Sequence, residues 1–362
     1  MRALLIGGTG PTGGHIVRGL LDRGHDVTIL HRGVHESDSS VLESVRHIHA
    51  DPHFRDKLED GLRGLTFDLI IAAYGRVEIV ADASADKCER FIAVGGTPVY
   101  RGMLDRRGVW PDGMALAARE DGDLGAVPGV AGQSQRHRFA EKIARAERAV
   151  WAHHNKDFLA SCFRYSLVYG PSSIASFEWP VARRVLSGRT RILLPDGGLG
   201  IFSRCAARNA AQCVLLGVDA PAVASGQTYN CADDTQYSLA AWVRMVAAFL
   251  GRDIEIVSAP SALSVPSWEL LPPGPVGSSH TLVSTAKVRS ELGYRDVVEP
   301  RTALRDLVHD LRLRWDGDPM PPDCREEDAV IEAIDKVGEQ LMQRFGWPNQ
   351  PSDGFVHSYD HP

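Results

Sequence analysis

Short apolar runs alternate with longer amphipathic segments along the first half of this chain. Short apolar runs are typical of strands buried on both faces, and the segments between them carry apolar residues at helical spacing. Strands that alternate with helices predict an α/β fold with a parallel, doubly wound sheet. The predicted strands of this sheet lie at residues 3–6, 26–30, 45–51, 67–73, 90–94, 159–164 and, returning late in the chain, 227–230.

The pattern becomes mixed after residue 170, where helices and isolated short strands follow one another without regular alternation. This change predicts a smaller mixed lobe beside the parallel sheet. An apolar helical stripe over residues 330–345 must be buried on the body or on a second subunit, which leaves a homodimer open. We therefore divide the chain into residues 1–170 with 206–232 returning to them, a substrate lobe over 171–315, and a C-terminal helix and tail over 316–362.

A glycine-rich turn connects the first predicted strand to the first predicted helix. Gly7 lets the chain turn sharply, Gly10 lets a pyrophosphate approach the backbone, and Gly13 lets the helix pack close to the sheet. The helix is expected to start near Pro11 or Thr12, and its free N–H groups and dipole favour a diphosphate. The turn therefore predicts a dinucleotide site, and the other interpretation is a plain strand–helix turn.

The end of the second predicted strand decides which dinucleotide is preferred. An acidic residue there would bind the ribose 2′-hydroxyl of NAD, whereas the guanidinium of Arg32 matches the oxygens of a 2′-phosphate. Arg32 therefore favours NADP over NAD, and its alternative interpretation is a solvated arginine. The predicted cofactor-binding residues are Gly7, Thr9, Gly10, Pro11, Thr12, Gly13, Arg32, Asp51 at the adenine edge, and Ala73 and Tyr74 after the fourth strand.

Composition narrows the functional class. The chain has 362 residues, of which 44% are hydrophobic and 24% charged, and its net charge of −6 disfavours a nucleic-acid partner. No apolar run approaches a membrane span and no signal-peptide pattern is visible, so no membrane partner is expected.

The six scattered cysteines form no Cys-x-x-Cys pair and indicate reduced thiols in a cytoplasmic protein. His47, His49 and His53 lack a supporting carboxylate–histidine spacing, so no metal is expected.

Further motifs carry a resemblance to a known family. They are VY at 99–100, RYSLVYGP at 164–171, YNCADD at 229–234 and KVRSELGY at 287–294. With the glycine-rich turn, these motifs make residues 1–315 resemble the extended short-chain dehydrogenase/reductases, the NAD-dependent epimerase/dehydratase family. The resemblance implies a Rossmann fold, a nicotinamide cofactor and an oxidoreductase or epimerase that acts on a small-molecule substrate.

The resemblance also implies a Tyr-x-x-x-Lys pair on the helix after the fifth strand. In that pair the lysine lowers the pKa of the tyrosine, whose phenol then exchanges a proton with a substrate hydroxyl. The register of this helix, set by residues 146–150, puts Phe139 at the tyrosine position and Ile143 at the lysine position. A shift by one residue gives Arg138 and Lys142, which still lacks a tyrosine. The sequence therefore predicts that the usual pair is missing.

Other side chains must then carry any proton transfer. The family's Ser/Thr position after the fifth strand falls on Gly96, with Thr97 beside it. The alternative role of Tyr100 is packing, and that of His137 is a solvated histidine at the start of the helix. The candidate catalytic residues near the predicted pocket are Thr97, Tyr100, His137, Lys142 and Tyr165.

Two functions from different classes fit these observations. The first is an NADP-dependent enzyme of the epimerase/dehydratase type with a non-standard catalytic set, acting on a small hydroxyl or carbonyl metabolite. The second is a non-catalytic protein that senses NADP or docks a partner, which the missing pair favours. A sugar nucleotide is not expected, because neither Arg204 nor Arg208 aligns convincingly with the arginine that binds the diphosphate in the family's sugar-nucleotide enzymes.

Overall fold

The seven strands of the main sheet form in the order that the apolar pattern predicts. The computed structural model describes residues 1–33, 40–73, 75–104, 109, 113–125, 135–173, 176–271 and 280–346. Its strands are β1 (Arg2–Ile6), β2 (Asp26–His31), β3 (Arg46–His49), β4 (Phe67–Ala72), β5 (Cys88–Gly96), β6 (Leu159–Tyr165), β7 (Leu167–Tyr169), β8 (Arg191–Pro195), β9 (Arg204–Ala206), β10 (Thr228–Cys231) and β11 (Glu255–Ala259).

The helices cover both faces of the sheet and build the lobe. None of the helices in the described ranges is long and apolar enough to cross a membrane. Their bounds are α1 (Gly13–Asp22), α2 (Ser40–Glu43), α3 (Arg55–Gly61), α4 (Val77–Ser84), α5 (Gln135–His153), α6 (Trp179–Leu186), α7 (Ala207–Asp219), α8 (Pro221–Ala224), α9 (Leu239–Phe249), α10 (Ala286–Leu292), α11 (Pro300–Gly317) and α12 (Arg325–Phe345).

One seven-stranded sheet of parallel strands runs in the order β10-β6-β5-β4-β1-β2-β3. The order reverses beside β1, where β4 lies on one side and β2 on the other. In such sheets, ligands bind at the carboxyl ends of the strands near this reversal. The predicted α/β fold, a Rossmann-type, doubly wound parallel sheet, is thereby confirmed, including the late strand that returns beside β6.

Both faces of the sheet are covered, because its central strands are apolar on both sides. Alternate residues of β1 belong to different cores: Leu5 packs in the cluster that includes α1 and α7, and Leu4 in the cluster that includes α3, α4 and α5. Helix α10, predicted in the substrate lobe, also packs in the first of these clusters through Val288 and Leu292. The body around the dinucleotide turn therefore includes a helix from late in the chain.

The smaller lobe has its own core. Two parallel pairs, β8 with β11 and β7 with β9, combine there with α6, α9 and α11. The main cluster of buried residues in this lobe is largely aliphatic and includes Tyr169, Phe202 and Trp242. This lobe corresponds to the mixed pattern that the sequence shows after residue 170.

Helix α12 is anchored to the lobe through Glu327, whose carboxylate accepts a hydrogen bond from Arg184 Nε at 2.9 Å. The first half of its apolar stripe packs near β8 and β11. In the second half, Val337, Leu341 and Phe345 are exposed. The body therefore buries only the first half of the stripe, and burial of the second half against a second subunit stays a prediction.

Candidate active site

The glycine-rich turn lies at the carboxyl end of β1, where the strand order reverses. Gly7 has a φ of +93°, which favours glycine, and its N–H donates to the carbonyl of Leu30 at 2.9 Å. A Cβ at Gly13 would lie 1.9 Å from the carbonyl oxygen of Gly8, so a side chain there would force the turn and α1 apart. A Cβ at Gly10 would meet nothing within 4 Å, which leaves open space for a pyrophosphate.

Helix α1 begins at Gly13 rather than at the predicted Pro11 or Thr12. Those two residues form a turn that the N–H of Gly13 closes by donating to the carbonyl of Gly10 at 2.9 Å. Thr12 is buried, whereas Thr9 is half-buried. The first N–H groups of a helix have no partner within it, and here they begin beside the open space at Gly10. These residues fit the diphosphate of a dinucleotide.

The residues predicted for the adenosine end follow neighbouring strands. Arg32 follows β2 and is exposed, as contact with a 2′-phosphate requires. Asp51 follows β3 and accepts hydrogen bonds from the N–H and the ring Nδ1 of His53 at 3.0 and 2.8 Å. Burial would raise the pKa of Asp51, but these hydrogen bonds outweigh it and lower the pKa. Ala73 follows β4, and its N–H donates to the carbonyl of Ile6 at the end of β1, at 3.0 Å. Tyr74 lies outside the described residues.

A cavity of about 850 Å³ lies beside the carboxyl ends of β5 and β6 and the first half of α5. This volume is in the range of sites for small ligands. Phe139, Lys142 and Ile143 line it from α5, and Gly96 lines it from β5. Phe139 is 52% exposed, so it belongs to the cavity wall and not to the core. The two positions predicted for the missing pair thus face a ligand-sized space with apolar side chains.

Lys142 and Tyr165 are the two predicted catalytic residues that line this cavity. Lys142 is an exposed residue of α5, whereas Tyr165 packs with Phe163 in the core on the opposite face of the sheet. The Tyr165 hydroxyl is buried and makes no hydrogen bond of normal geometry within the described residues. Burial raises its pKa well above the ordinary value, so the phenol stays protonated. The two side chains therefore lie on different faces of the sheet.

Thr97, Tyr100 and His137 are absent from the described residues that line the cavity, in contrast to the expectation. The Tyr100 hydroxyl donates to Asn230 Oδ1 at 2.7 Å and accepts from Arg164 Nη1 at 2.9 Å. Burial raises the pKa of Tyr100 to about 12, so this phenol holds neighbouring groups and does not release its proton. Thr97 is buried after β5, and His137 is buried on α5, where the sequence suggested a solvated helix start as its alternative role.

A buried ion pair, which sequence reasoning missed, joins α5 to β6 below the cavity wall. Glu147 accepts from Arg164 Nη2 at 2.8 Å and from Arg164 Nε at 2.9 Å, and only 5% and 2% of these side chains are exposed. Burial alone lowers the pKa of Arg164, but the hydrogen bonds and charge of Glu147 outweigh it and raise the pKa. A Cβ at Gly95 would lie 3.3 Å from Glu147 Oε1, so glycine leaves room for the pair. An arginine within an apolar strand was the signal that could have revealed it.

Ser166 is a second residue that sequence reasoning did not single out. It follows β6, lines the cavity, and has a buried hydroxyl without a hydrogen-bond partner among the described residues. A buried hydroxyl without a partner is costly, and a ligand oxygen could satisfy it. Its only signal in the sequence was its place in the RYSLVYGP motif.

The two arginines considered for a substrate diphosphate lie elsewhere. Arg204 is buried with its guanidinium carbon 4.5 Å from the centre of the Trp242 ring. Arg208 is exposed on α7, close enough to α1 that burial and its charge together lower the pKa of His15. Neither arginine is among the described residues that line the cavity.

Known proteins match this chain in its N-terminal sequence and in its fold. Residues 3–97 match the model of the NAD dependent epimerase/dehydratase family, and no curated protein matches the chain. The UDP-glucose 4-epimerase of Thermotoga maritima, solved with UDP-glucose, superposes with a TM-score of 0.66 at 13% identity, over 87% of this chain and 100% of that one.

Two further solved structures give the same result. The dTDP-glucose 4,6-dehydratase of Streptomyces venezuelae with NAD superposes with a TM-score of 0.65 at 18% identity, over 88% of this chain and 98% of that one. The UDP-glucose 4-epimerase of Thermus thermophilus with NAD superposes with a TM-score of 0.61 at 18% identity, over 86% of this chain and 99% of that one. Residues 3–97 are thus similar in sequence to the NAD dependent epimerase/dehydratase family, and the fold of the chain is similar to the folds of these solved epimerases and this dehydratase.

Proposed function

We propose that this protein is an NADP-dependent enzyme of the epimerase/dehydratase type that acts on a small hydroxyl or carbonyl compound without a Tyr-x-x-x-Lys pair. The observation that carries the proposal is the cavity of about 850 Å³ whose α5 wall consists of Phe139, Lys142 and Ile143. The solved relatives contain NAD or UDP-glucose, so both NAD and nucleotide sugars belong in any test of preference.

Each of the main side chains of the cavity has a different chemical role. A bound nicotinamide supplies or accepts the hydride. Lys142 is the proton carrier of the site, because its ammonium group stands on the wall where the family holds its acid–base pair. Ser166 orients the substrate oxygen through its hydroxyl, which has no partner within the described residues. Phe139 and Ile143 exclude water from the reacting atoms.

Replacement of Lys142 by methionine tests this assignment. We expect Lys142→Met to lower kcat by about a hundredfold, the usual contribution of a positioned acid or base, with an unchanged melting temperature because the side chain is exposed. Turnover is measured with NADPH and NADH on a panel of carbonyl compounds and UDP-glucose. Lys156→Met is the control, because the Lys156 side chain is 89% exposed and lies outside the cavity lining. Equal turnover in the two variants would show that Lys142 carries no proton.

Cofactor preference is tested at Arg32. We expect Arg32→Ala to weaken NADP binding by about 1.5–3 kcal/mol, the range for a hydrogen bond to a charged group, and to leave NAD binding unchanged. Calorimetric titration with both dinucleotides measures the difference. Arg46→Ala, which removes another arginine with a 77% exposed side chain, should change neither affinity. An equal loss for both dinucleotides, or no loss for either, contradicts the preference.

A second candidate function is a non-catalytic protein that binds NADP and responds to it. It is favoured by the Tyr100 phenol, which is held between Arg164 and Asn230 and is unavailable for proton transfer. The same panel separates the two functions. Tight dinucleotide binding without turnover on any substrate class would favour the binding protein, whereas turnover that Lys142→Met abolishes would favour the enzyme.

A further inference from the structure

Three histidines from two neighbouring strands lie together at the carboxyl edge of the sheet. His31 ends β2, and His47 and His49 lie on β3. The parallel register pairs His31 with His49 and Ile29 with His47. Residues two apart on a strand face the same side, so all three rings extend from one face. One ring nitrogen from each histidine lies within 4.8 Å of the other two.

A chain of hydrogen bonds orients two of these rings. The N–H of Gly33 lies 3.2 Å from His31 Nδ1 and donates to it, which leaves the His31 proton on Nε2. His31 Nε2 lies 2.8 Å from His47 Nδ1, and His47 Nε2 lies 2.7 Å from the carbonyl of Leu42. The Leu42 carbonyl can only accept, so His47 donates through Nε2 and keeps a lone pair on Nδ1. A metal-binding histidine typically donates its other N–H to such a carbonyl.

We infer that His31, His47 and His49 form a binding site for a divalent transition metal of the zinc class. Imidazole nitrogens bind zinc at about 2.0–2.1 Å, so two ligands of a tetrahedral site lie about 3.3 Å apart. The His31 and His47 nitrogens need to separate only modestly from their present 2.8 Å to admit the ion. The His31 proton then moves from Nε2 to Nδ1, and the long contact with the Gly33 N–H opens. No proton is lost from the protein in this step.

The chemistry of the cluster selects the class of ion. Three neutral imidazoles suit zinc, cobalt, nickel or copper, whereas calcium and magnesium require oxygen ligands. Three protein ligands leave a fourth tetrahedral position open to water or an anion. His47 and His49 are exposed, so an ion can reach the site from solvent. His53, which the sequence groups with these histidines, binds Asp51 instead.

Titration of the tag-free, metal-depleted full chain with zinc or cobalt chloride tests the site. We expect one ion per chain by calorimetry, and visible absorption of cobalt in a four-coordinate site. His49→Gln and His47→Gln should each weaken binding at least about tenfold, because loss of a partner that only supports a ligand already costs this much. His309→Gln is the matched control, because His309 is exposed on α11 outside the cluster.

Two outcomes overturn the inference. The first is the absence of binding by the unmodified chain, and the second is equal affinity in His49→Gln and His309→Gln. Both substituted histidines of the cluster are exposed, and circular dichroism without metal confirms that each variant is folded. The measurement contains no dinucleotide, so its result is independent of the proposed function.

Discussion

Gly10→Val is expected to abolish dinucleotide binding without unfolding the protein. A Cβ at Gly10 meets nothing within 4 Å, and its φ lies outside the region that requires glycine, so the unliganded turn accepts a side chain. The same open space is where a pyrophosphate must approach the backbone, and a branched side chain would occupy it. We expect calorimetry to detect no binding of NADP or NAD, with a melting temperature close to that of the unmodified chain.

Gly13→Ala is the matched control at the same turn. Its Cβ would lie 1.9 Å from the carbonyl oxygen of Gly8, a backbone atom that cannot move without shifting the turn. Overpacking of this kind costs about 1–3 kcal/mol or more, so this variant should lose stability. Undiminished dinucleotide binding by Gly10→Val would mean that the cofactor binds elsewhere or does not bind at all.

Glu147→Gln is expected to reduce the free energy of unfolding by about 3–5 kcal/mol, because it leaves the buried Arg164 cation without its counter-charge. The amide keeps the shape of the carboxylate, so loss of charge and not of volume is tested. Urea denaturation measures the change. A compensated double variant, Glu147→Leu with Arg164→Met, should regain much of the stability, since apolar side chains of similar size often replace buried pairs without cost.

An exposed ion pair provides the comparison for this prediction. Asp316 accepts from Arg312 Nε at 3.0 Å on α11, and both side chains are about half exposed. Asp316→Asn should cost about 0.5 kcal/mol or less, as exposed helical pairs do. If Glu147→Gln were as mild as Asp316→Asn, the buried pair would not hold α5 against β6, and the cavity wall would depend on apolar packing alone.

The buried pair connects the stability of the protein to its candidate chemistry. Arg164 is held by Glu147 on α5 and also binds the Tyr100 hydroxyl and the carbonyl of Glu120, so β6, α5 and the segment after β5 meet at one guanidinium. Of the cavity residues, Lys142 lies on α5 and Ser166 directly follows β6. A change at Glu147 is therefore expected to alter the cavity as well as the free energy of unfolding.

The succession of strands along the chain and the glycine-rich turn follow from local patterns in the sequence. Short apolar runs predict buried strands because a strand that is covered on both faces of the sheet needs apolar side chains on both faces. Phe139 and Ile143 share a helix face because their spacing of four residues is close to one helical turn. The family resemblance, and not the spacing, implied that this face lines the substrate pocket, and both residues line the cavity.

The partners of individual side chains depend on contacts between elements that are distant in sequence. The sequence made Tyr100 a candidate acid. In the fold, its hydroxyl is hydrogen-bonded to Arg164 and Asn230, which are 64 and 130 residues away in the chain. His31 and His49 meet only because β2 and β3 pair in one particular register, and a shift of one residue would point one ring to the other face. Hydrogen bonds and metal ligands require atoms within a few ångströms, a precision that periodicity along a chain cannot supply.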